Sequence, residues 1–400
     1  MATIIDYVLR EQNTLEQRPL GRVDSLCLSW FSYLRLPVES SARTAEGVRL
    51  ADLDRDEWRL KMVAALHDSD ASEALLRAMA ASPRFCDMRV ALHVDERSEE
   101  EGKQFSATTF LLPGGGAYVA FRGTDDSIVG WKENFGLACS AGIPAQVSAT
   151  AYLQLAALTA EGPLWVGGHS KGGNLAVYAA RKAPDHVRAR IQACFSHDGP
   201  GFCPEALAAG GWHDDVTVDK TIPTESLVGM LFEKNQQGFA VVKSSEQSIM
   251  QHSPLSWQVE GCDFACVAGM DYGAWKLVRR LNDWLAERDT ASRTAFADML
   301  AWLADVTAET SFSSLVQRWS GNSEAMKAAL AAAPAEEREA FEDAMEDLVT
   351  TLLLGSATEW SREPQTPTQA AASAERQVDD LTARFNSKLA DLERRTGGIH

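Results

Sequence analysis

The sequence has no run of about 18 apolar residues, the length that a membrane-spanning helix needs. Its first residues lack a basic stretch followed by a long apolar one, so we also expect no signal peptide. Basic residues are in deficit: 38 Lys and Arg stand against 56 Asp and Glu, which gives a formal net charge of −18. An acidic surface repels phosphate backbones, so we expect no nucleic-acid partner.

Cysteine is scarce, and its seven residues are scattered and odd in number. This pattern favours reduced thiols and a cytoplasmic protein over a disulfide framework. Cys262 and Cys266 lie four apart, but no second pair completes a zinc set, so we expect neither a metal nor a cofactor. Hydrophobic residues make up 45% of the chain, which is ordinary for a globular protein and rules out wholesale disorder.

The spacing of apolar residues predicts a helical N-terminal segment over residues 1–85, packed on the core. One helix there presents Val23 and Leu26 on its apolar face, and Asp24 is its expected N-cap. Residues 86–268 alternate short apolar strands with helices, which favours an α/β fold with a mostly parallel central sheet.

The C-terminal third returns to a helical pattern. We predict a helical extension over 269–355, a linker rich in Pro, Ser and Thr over 356–373, and an amphipathic helix over 374–396. The apolar stripe of that last helix favours packing on its own domain over self-association, and a homo-oligomer through it remains the alternative.

The strongest chemical signal is Gly168-His169-Ser170-Lys171-Gly172, which satisfies G-x-S-x-G. An apolar strand precedes it and a helix-forming stretch follows, the context that holds a nucleophilic serine in a strained turn above a parallel sheet. A Cβ at either glycine is expected to clash with the neighbouring strand and helix. Ser170 is therefore the predicted nucleophile.

A serine hydroxyl needs a general base, and in an α/β-hydrolase the histidine follows the serine and the acid along the chain. His252 lies in a loop after the predicted strand 239–243, where the base belongs. His213 lies in an exposed-looking loop and is the runner-up. His169, inside the elbow itself, is expected to be structural.

The acid must orient the imidazole. Asp198 directly follows the strand after the elbow, and is the first choice. Asp219 and Glu225 are later alternatives, one strand further on. The alternative for Asp198 is a turn residue without a catalytic role, because Asp-Gly-Pro-Gly forms turns on any surface.

The oxyanion hole needs two N–H donors. The amide of Lys171, the residue after the nucleophile, is one candidate. The second comes from a loop after an early strand, and Thr124 follows such a strand in Ala120-Phe-Arg-Gly-Thr124.

Several blocks together resemble known hydrolases. Tyr118–Asp125 and the elbow resemble class 3, or fungal-type, lipases, and the fuller match is to an uncharacterised family of bacterial lipase-like α/β-hydrolases over about residues 20–260. The blocks are Asp24-Ser-Leu26, Gln104-Phe-Ser-Ala107, Phe121-Arg-Gly-Thr-Asp125, Gly130-Trp-Lys-Glu133, Gly168-His-Ser-Lys-Gly-Gly-Asn174, Asp198-Gly-Pro-Gly-Phe202 and Gln251-His252.

The resemblance implies an α/β-hydrolase fold and hydrolysis of carboxylic or lipid esters through Ser170, His252 and an acid. It favours Asp198, although in class 3 lipases the acid lies further along the chain, where Asp219 and Glu225 stand here. An acyltransferase or a thioesterase with the same triad is an alternative function. A non-catalytic interaction module on the same fold is another.

Overall fold

The computed structural model describes residues 2–64, 66, 68–98, 100, 103–124, 142–233, 236–287 and 293. The chain divides into two compact units, 1–341 and 342–400, and every described residue belongs to the first. The predicted linker and the predicted helix over 374–396 lie outside the described residues, as does most of the extension predicted over 269–355. The domain boundaries remain predictions.

The described helices, in chain order, are α1 (Ile4–Arg10), α2 (Arg22–Phe31), α3 (Asp56–Val63), α4 (Ser69–Ala81), α5 (Pro144–Thr159), α6 (Lys171–Lys182), α7 (Asp185–Arg188), α8 (Pro204–Ala208) and α9 (Tyr272–Glu287). Among the residues described, none of the helices is long and apolar enough to cross a membrane.

The strands form one large mixed sheet and a small two-stranded one. They are β1 (Val48–Arg49), β2 (Arg89–Ser98), β3 (Lys103–Leu111), β4 (Ala117–Phe121), β5 (Leu164–His169), β6 (Ile191–His197), β7 (Val218–Pro223), β8 (Ala240–Val242), β9 (Val259–Glu260), β10 (Asp263–Phe264) and β11 (Cys266–Val267). The order in the large sheet is β1-β2-β3-β4-β5-β6-β7-β8-β11.

The centre of the large sheet is parallel. Strands β4 to β8 pair in parallel, each with its successor, whereas β1 to β4 pair antiparallel and β11 adds an antiparallel edge. The predicted α/β fold with mostly parallel central strands is confirmed at this level. Since the carboxyl ends of parallel strands share one edge, the turns after β4, β5 and β6 meet there.

Helices cover both faces of the sheet. Successive side chains of a strand point to opposite faces, and along β4 Tyr118 and Ala120 join the core beneath α1, α2 and α4. Val119 and Phe121 join the second core, beneath α5 and α6. The continuous burial of β4 follows from this three-layer arrangement.

The expected role of Asp24 as an N-cap is wrong. Helix α2 begins at Arg22 with Gly21 as its N-cap, and Asp24 reaches back from the third position to accept the Gly21 N–H at 2.8 Å. Its other contacts run to Tyr7 Oη at 2.6 Å and Arg84 Nε at 2.5 Å. The side chains of Asp24 and Arg84 are both fully buried. This carboxylate therefore forms a tertiary ion pair and also accepts a hydrogen bond at the start of the helix.

No apolar run marks β7 as a strand, and one of the alternative acids, Asp219, lies within it. It pairs with β6 from Cys194 opposite Val218 to His197 opposite Thr221. Its buried residues include the polar Lys220 and Thr221, so it lacks the apolar run that marks β4 and β6. It lies between β6 and β8, so one parallel strand separates the strand that precedes Asp198 from the strand that precedes the His252 loop.

Candidate active site

Ser170 occupies the sharp turn between β5 and α6. Its backbone has φ 58° and ψ −132°, a conformation that residues with a side chain rarely adopt. The Ser170 N–H donates to the carbonyl of His197 at the end of β6, at 2.9 Å. A strained residue held by its neighbours in this way is typical of functional sites.

Two glycines allow this turn to form. A Cβ on Gly168 would lie 2.2 Å from the Gly172 backbone, and one on Gly172 would lie 2.0 Å from the carbonyl oxygen of Phe121. No shift of a flexible side chain relieves either clash, because the atoms met are backbone. This confirms the steric reason predicted for the glycines of the elbow.

His252 and Asp198 lie in direct contact. Asp198 follows β6 and His252 ends a short 3-10 helix, Ser248–His252, after β8. The distance between His252 Nδ1 and Asp198 Oδ2 is 2.6 Å. A carboxylate that binds one ring nitrogen fixes the tautomer and leaves the other nitrogen, Nε2, as a proton acceptor.

The second oxygen of Asp198 is held by donors of its own. Oδ1 accepts from the Ser226 hydroxyl at 2.5 Å and from the Gly229 N–H at 3.1 Å. The Asp198 side chain is 1% exposed, whereas that of His252 is 26% exposed. The carboxylate is therefore fixed inside the protein while the imidazole reaches the surface.

The alternative acids bind elsewhere. Asp219 lies on β7, where its two oxygens accept from Arg22 Nε at 2.7 and 2.8 Å. Glu225 accepts from the amide of Gln251 at 3.0 Å, one residue before His252. Of the three candidate acids, the structure brings Asp198 to the His252 ring.

The runner-up base lies far from the serine. The His213 N–H donates to the carbonyl of Arg181, near the end of α6, while Ser170 caps the start of that helix. A helix of 12 residues places these two ends roughly 16 Å apart.

The two candidate oxyanion donors belong to segments that meet at the elbow. A Cβ built on Gly123, one residue before Thr124, would lie 3.0 Å from Ser170 Cβ, so this loop approaches the elbow closely. Lys171 opens α6, and its buried side chain donates to the Gln104 carbonyl at 2.8 Å. Helix N-termini favour negative charge, which suits this corner to a developing oxyanion.

Asn174 connects the nucleophile's helix to the loop that carries the acid. Its Nδ2 donates to the carbonyls of Pro200 and Gly201 at 3.1 and 2.8 Å. Its Oδ1 accepts from Gln146 of α5 at 2.8 Å. A fully buried amide with three such partners fixes Ser170 and Asp198 in one rigid unit.

His169 connects the elbow to the base. Its ring lies near that of His252, with ring centroids 4.7 Å apart, and its Nε2 lies 2.9 Å from the His252 carbonyl oxygen. Burial, followed by the nearby His252, lowers the pKa of His169 well below its usual range. Among the described residues, no hydrogen bond joins the Ser170 hydroxyl to the His252 ring, so that contact belongs to the proposal below.

Sequence reasoning missed several residues of this site. Ser226 and Gly229 follow β7, and Tyr33 lies beyond α2, with its hydroxyl 3.0 Å from His169 Nδ1. Nothing local in the sequence marks Ser226 or Tyr33. The only feature of the sequence that could have drawn attention to Gly229 is that it is a glycine outside any turn motif.

Within the described part of the chain, no group of three or more His, Cys, Asp or Glu residues is placed to hold a metal ion. The absence of a metal or cofactor from the reaction remains a prediction.

Solved structures similar to this chain include three lipases. An M37 lipase is 15% identical over 60% of this chain and 83% of its own, with a TM-score of 0.35. A fungal lipase in complex with an inhibitor is 15% identical over 50% and 81%, with a TM-score of 0.32. The Rhizomucor miehei lipase with its propeptide is 15% identical over 46% and 64%, with a TM-score of 0.25. At such low scores these similarities carry no argument about this chain.

No curated protein matches the sequence. A family model does: the one described as Mbeg1-like matches residues 79–301, which is more than half of the chain and includes the elbow, Asp198 and His252. The chain therefore belongs to the Mbeg1-like family.

Proposed function

We propose that this protein is a serine hydrolase of the α/β-hydrolase fold that cleaves carboxylic esters, with Ser170 as nucleophile, His252 as general base and Asp198 as the acid that orients it. The observation that carries the proposal is the 2.6 Å contact between His252 Nδ1 and Asp198 Oδ2. The His252 ring also lies 4.7 Å from the ring of His169, which directly precedes a serine in a strained strand-to-helix turn. A buried carboxylate, a half-exposed imidazole and an elbow serine are the three parts that ester hydrolysis needs.

The first step forms the acyl-enzyme. Ser170 Oγ attacks the ester carbonyl carbon while its proton passes to His252 Nε2. The carbonyl oxygen becomes an oxyanion, which the amides of Lys171 and Thr124 bind. The tetrahedral intermediate then breaks its bond to the alcohol oxygen, and the alcohol leaves with the proton from the imidazolium.

The second step releases the acid. Water takes the place of the alcohol, gives a proton to His252 Nε2 and attacks the acyl carbon, after which Ser170 Oγ regains the proton as it departs. Asp198 orients the imidazole in both steps, while the Ser226 hydroxyl and the Gly229 N–H donate to its other oxygen and hold it in place.

The geometry favours Asp198 over the other acids. Asp219 is engaged with the guanidinium of Arg22, and Glu225 holds the side chain of Gln251. Both of these carboxylates bind other side chains, which leaves the His252 ring to Asp198.

The related functions share the acyl-enzyme. An acyltransferase replaces water by an alcohol, and a thioesterase cleaves a thioester, with the same three residues. No feature of the described residues favours either of them, or a non-catalytic interaction module, over ester hydrolysis. A cytoplasmic location and self-association through residues 374–396 remain predictions.

The test is labelling of the full chain with a fluorophosphonate probe, which reacts with a serine only when a base activates it. We expect wild type to be labelled, Ser170→Ala and His252→Ala to lose the label, and the matched control His213→Ala to keep it. An ester panel graded by acyl-chain length then measures hydrolysis. A folded wild type that takes no label would overturn the proposal and favour an interaction module.

A further inference from the structure

We propose that His169 is a positioning residue for the base: the side chain next to the nucleophile holds the backbone of His252 and so sets the distance between Ser170 and the imidazole. This inference rests on the function proposed above. It assigns a role to a histidine that the sequence analysis expected to be structural.

The direct contact is a hydrogen bond across the sheet edge. His169 ends β5, and its Nε2 lies 2.9 Å from the carbonyl oxygen of His252. A carbonyl oxygen only accepts, so Nε2 is the donor. The two rings also lie close, with an interplanar angle of 37°.

Tyr33 fixes which nitrogen carries the proton. Its hydroxyl lies 3.0 Å from His169 Nδ1, and a neutral imidazole with its proton on Nε2 accepts that bond at Nδ1. Burial keeps His169 neutral by lowering its pKa well below the usual range. Tyr33 therefore holds the tautomer in which Nε2 donates to the His252 carbonyl.

Other hydrogen bonds hold Gln251, the residue before the base, to residues that follow β7 and to Trp257. Gln251 Oε1 accepts from the Thr224 hydroxyl and the Glu225 N–H, both at 3.0 Å, and these follow β7. The Trp257 indole donates to the Gln251 carbonyl at 2.8 Å. His169 alone among these groups is covalently next to the nucleophile, so it transmits the position of the elbow to the loop.

A histidine that only fills the core and a histidine that positions the base tolerate different substitutions. The ring of His169 also packs on Trp30, with centroids 5.9 Å apart, and phenylalanine preserves such packing without the donor. Glutamine is the conservative variant, because its Nε2 reaches about as far as the donor nitrogen of histidine. A packing role favours Phe over Gln, whereas a positioning role favours Gln over Phe.

The experiment measures the rate at which the fluorophosphonate labels the full chain in His169→Phe, His169→Gln and Tyr33→Phe, with the melting temperature of each variant. We expect His169→Phe to label about 100-fold more slowly, since a displaced base costs about this much. His169→Gln should recover most of the rate, and Tyr33→Phe should lose about five-fold, the worth of one ordinary hydrogen bond. The pH at which the rate is half-maximal should stay that of wild type, because the base is moved rather than replaced.

Equal rates for His169→Phe and wild type would overturn the positioning role and leave the proposed function standing. So would a Gln variant that is as slow as Phe at the same melting temperature. If His169→Phe does not fold, Tyr33→Phe decides, since it removes one hydroxyl, and an unchanged rate there refutes the inference. An unlabelled wild type would overturn the proposed function and this role with it.

Discussion

Two buried aspartates of this protein are held in opposite ways. Asp24 is bound by the guanidinium of Arg84 and the hydroxyl of Tyr7, and neither Asp24 nor Arg84 exposes its side chain. Asp198 is just as deeply buried, but its donors are a hydroxyl, a backbone amide and an imidazole that is 26% exposed.

The two aspartates differ in whether their basic partner, Arg84 or His252, can exchange a proton. A guanidinium stays charged at any working pH, so the pair around Asp24 contributes to folding only. A neutral imidazole can donate from one ring nitrogen to a carboxylate while the other nitrogen accepts a proton, which is the arrangement that a general base uses. Burial of a carboxylate therefore does not distinguish a structural pair from a candidate catalytic one, whereas the chemistry and the exposure of its partner do.

The substitution Asp198→Asn tests most directly whether this aspartate acts through His252. An amide donates a hydrogen bond where the carboxylate accepted one, which reverses the tautomer of His252, and we expect the rate of ester hydrolysis to fall about 10⁴-fold. Asp219→Asn is the matched control on the next strand, and its rate should stay near that of wild type. A large loss in Asp219→Asn with little in Asp198→Asn would reassign the acid.

Asp24→Asn tests the other side of the comparison. It leaves the Arg84 guanidinium buried without its counter-charge, and we expect a loss of about 3–5 kcal/mol in the free energy of unfolding, measured by denaturant titration. Asp219→Asn again serves as control, because its pair with Arg22 is partly exposed and should cost about 1 kcal/mol or less. Equal losses in the two variants would contradict a structural role for the buried pair.

Gly229→Ala is the mildest change. The new Cβ would lie 2.2 Å from Asp198 Oδ1, at a glycine whose backbone does not require glycine's freedom. We expect the carboxylate to shift and kcat to fall about 100-fold, with a modest loss of stability. Gly114→Ala is the control, because its Cβ meets nothing closer than 3.7 Å. Matched kcat values for the two variants would show that the position of Asp198 tolerates displacement.

Much of the site follows from local sequence. Gly168-His169-Ser170-Lys171-Gly172 predicts the strand-to-helix turn because only glycine fits against the backbone there, and the structure has that turn. Chain order and the loop after β8 single out His252, and the structure brings it to Asp198. The catalytic roles of these residues remain predictions until the serine is labelled.

The rest depends on contacts that are distant in sequence. Asp24 meets Arg84 across 60 positions and His252 meets Asp198 across 54, so no local pattern distinguishes the structural aspartate from the candidate acid. Strand β7 carries Lys220 and Thr221 inward and has no apolar run to reveal it. Tyr33 reaches His169 across 136 positions, and its role depends on the fold alone.

The order of strands in the sheet equals their order in the chain from β1 to β8. Each new strand emerging from the ribosome can therefore add to an edge that is already present, without waiting for a later partner. Ser170, the proposed nucleophile, precedes β6, and His252, the proposed base, follows β8, 82 positions later. The serine is therefore synthesised before the histidine proposed to activate it, and only a chain that extends past β8 holds both residues.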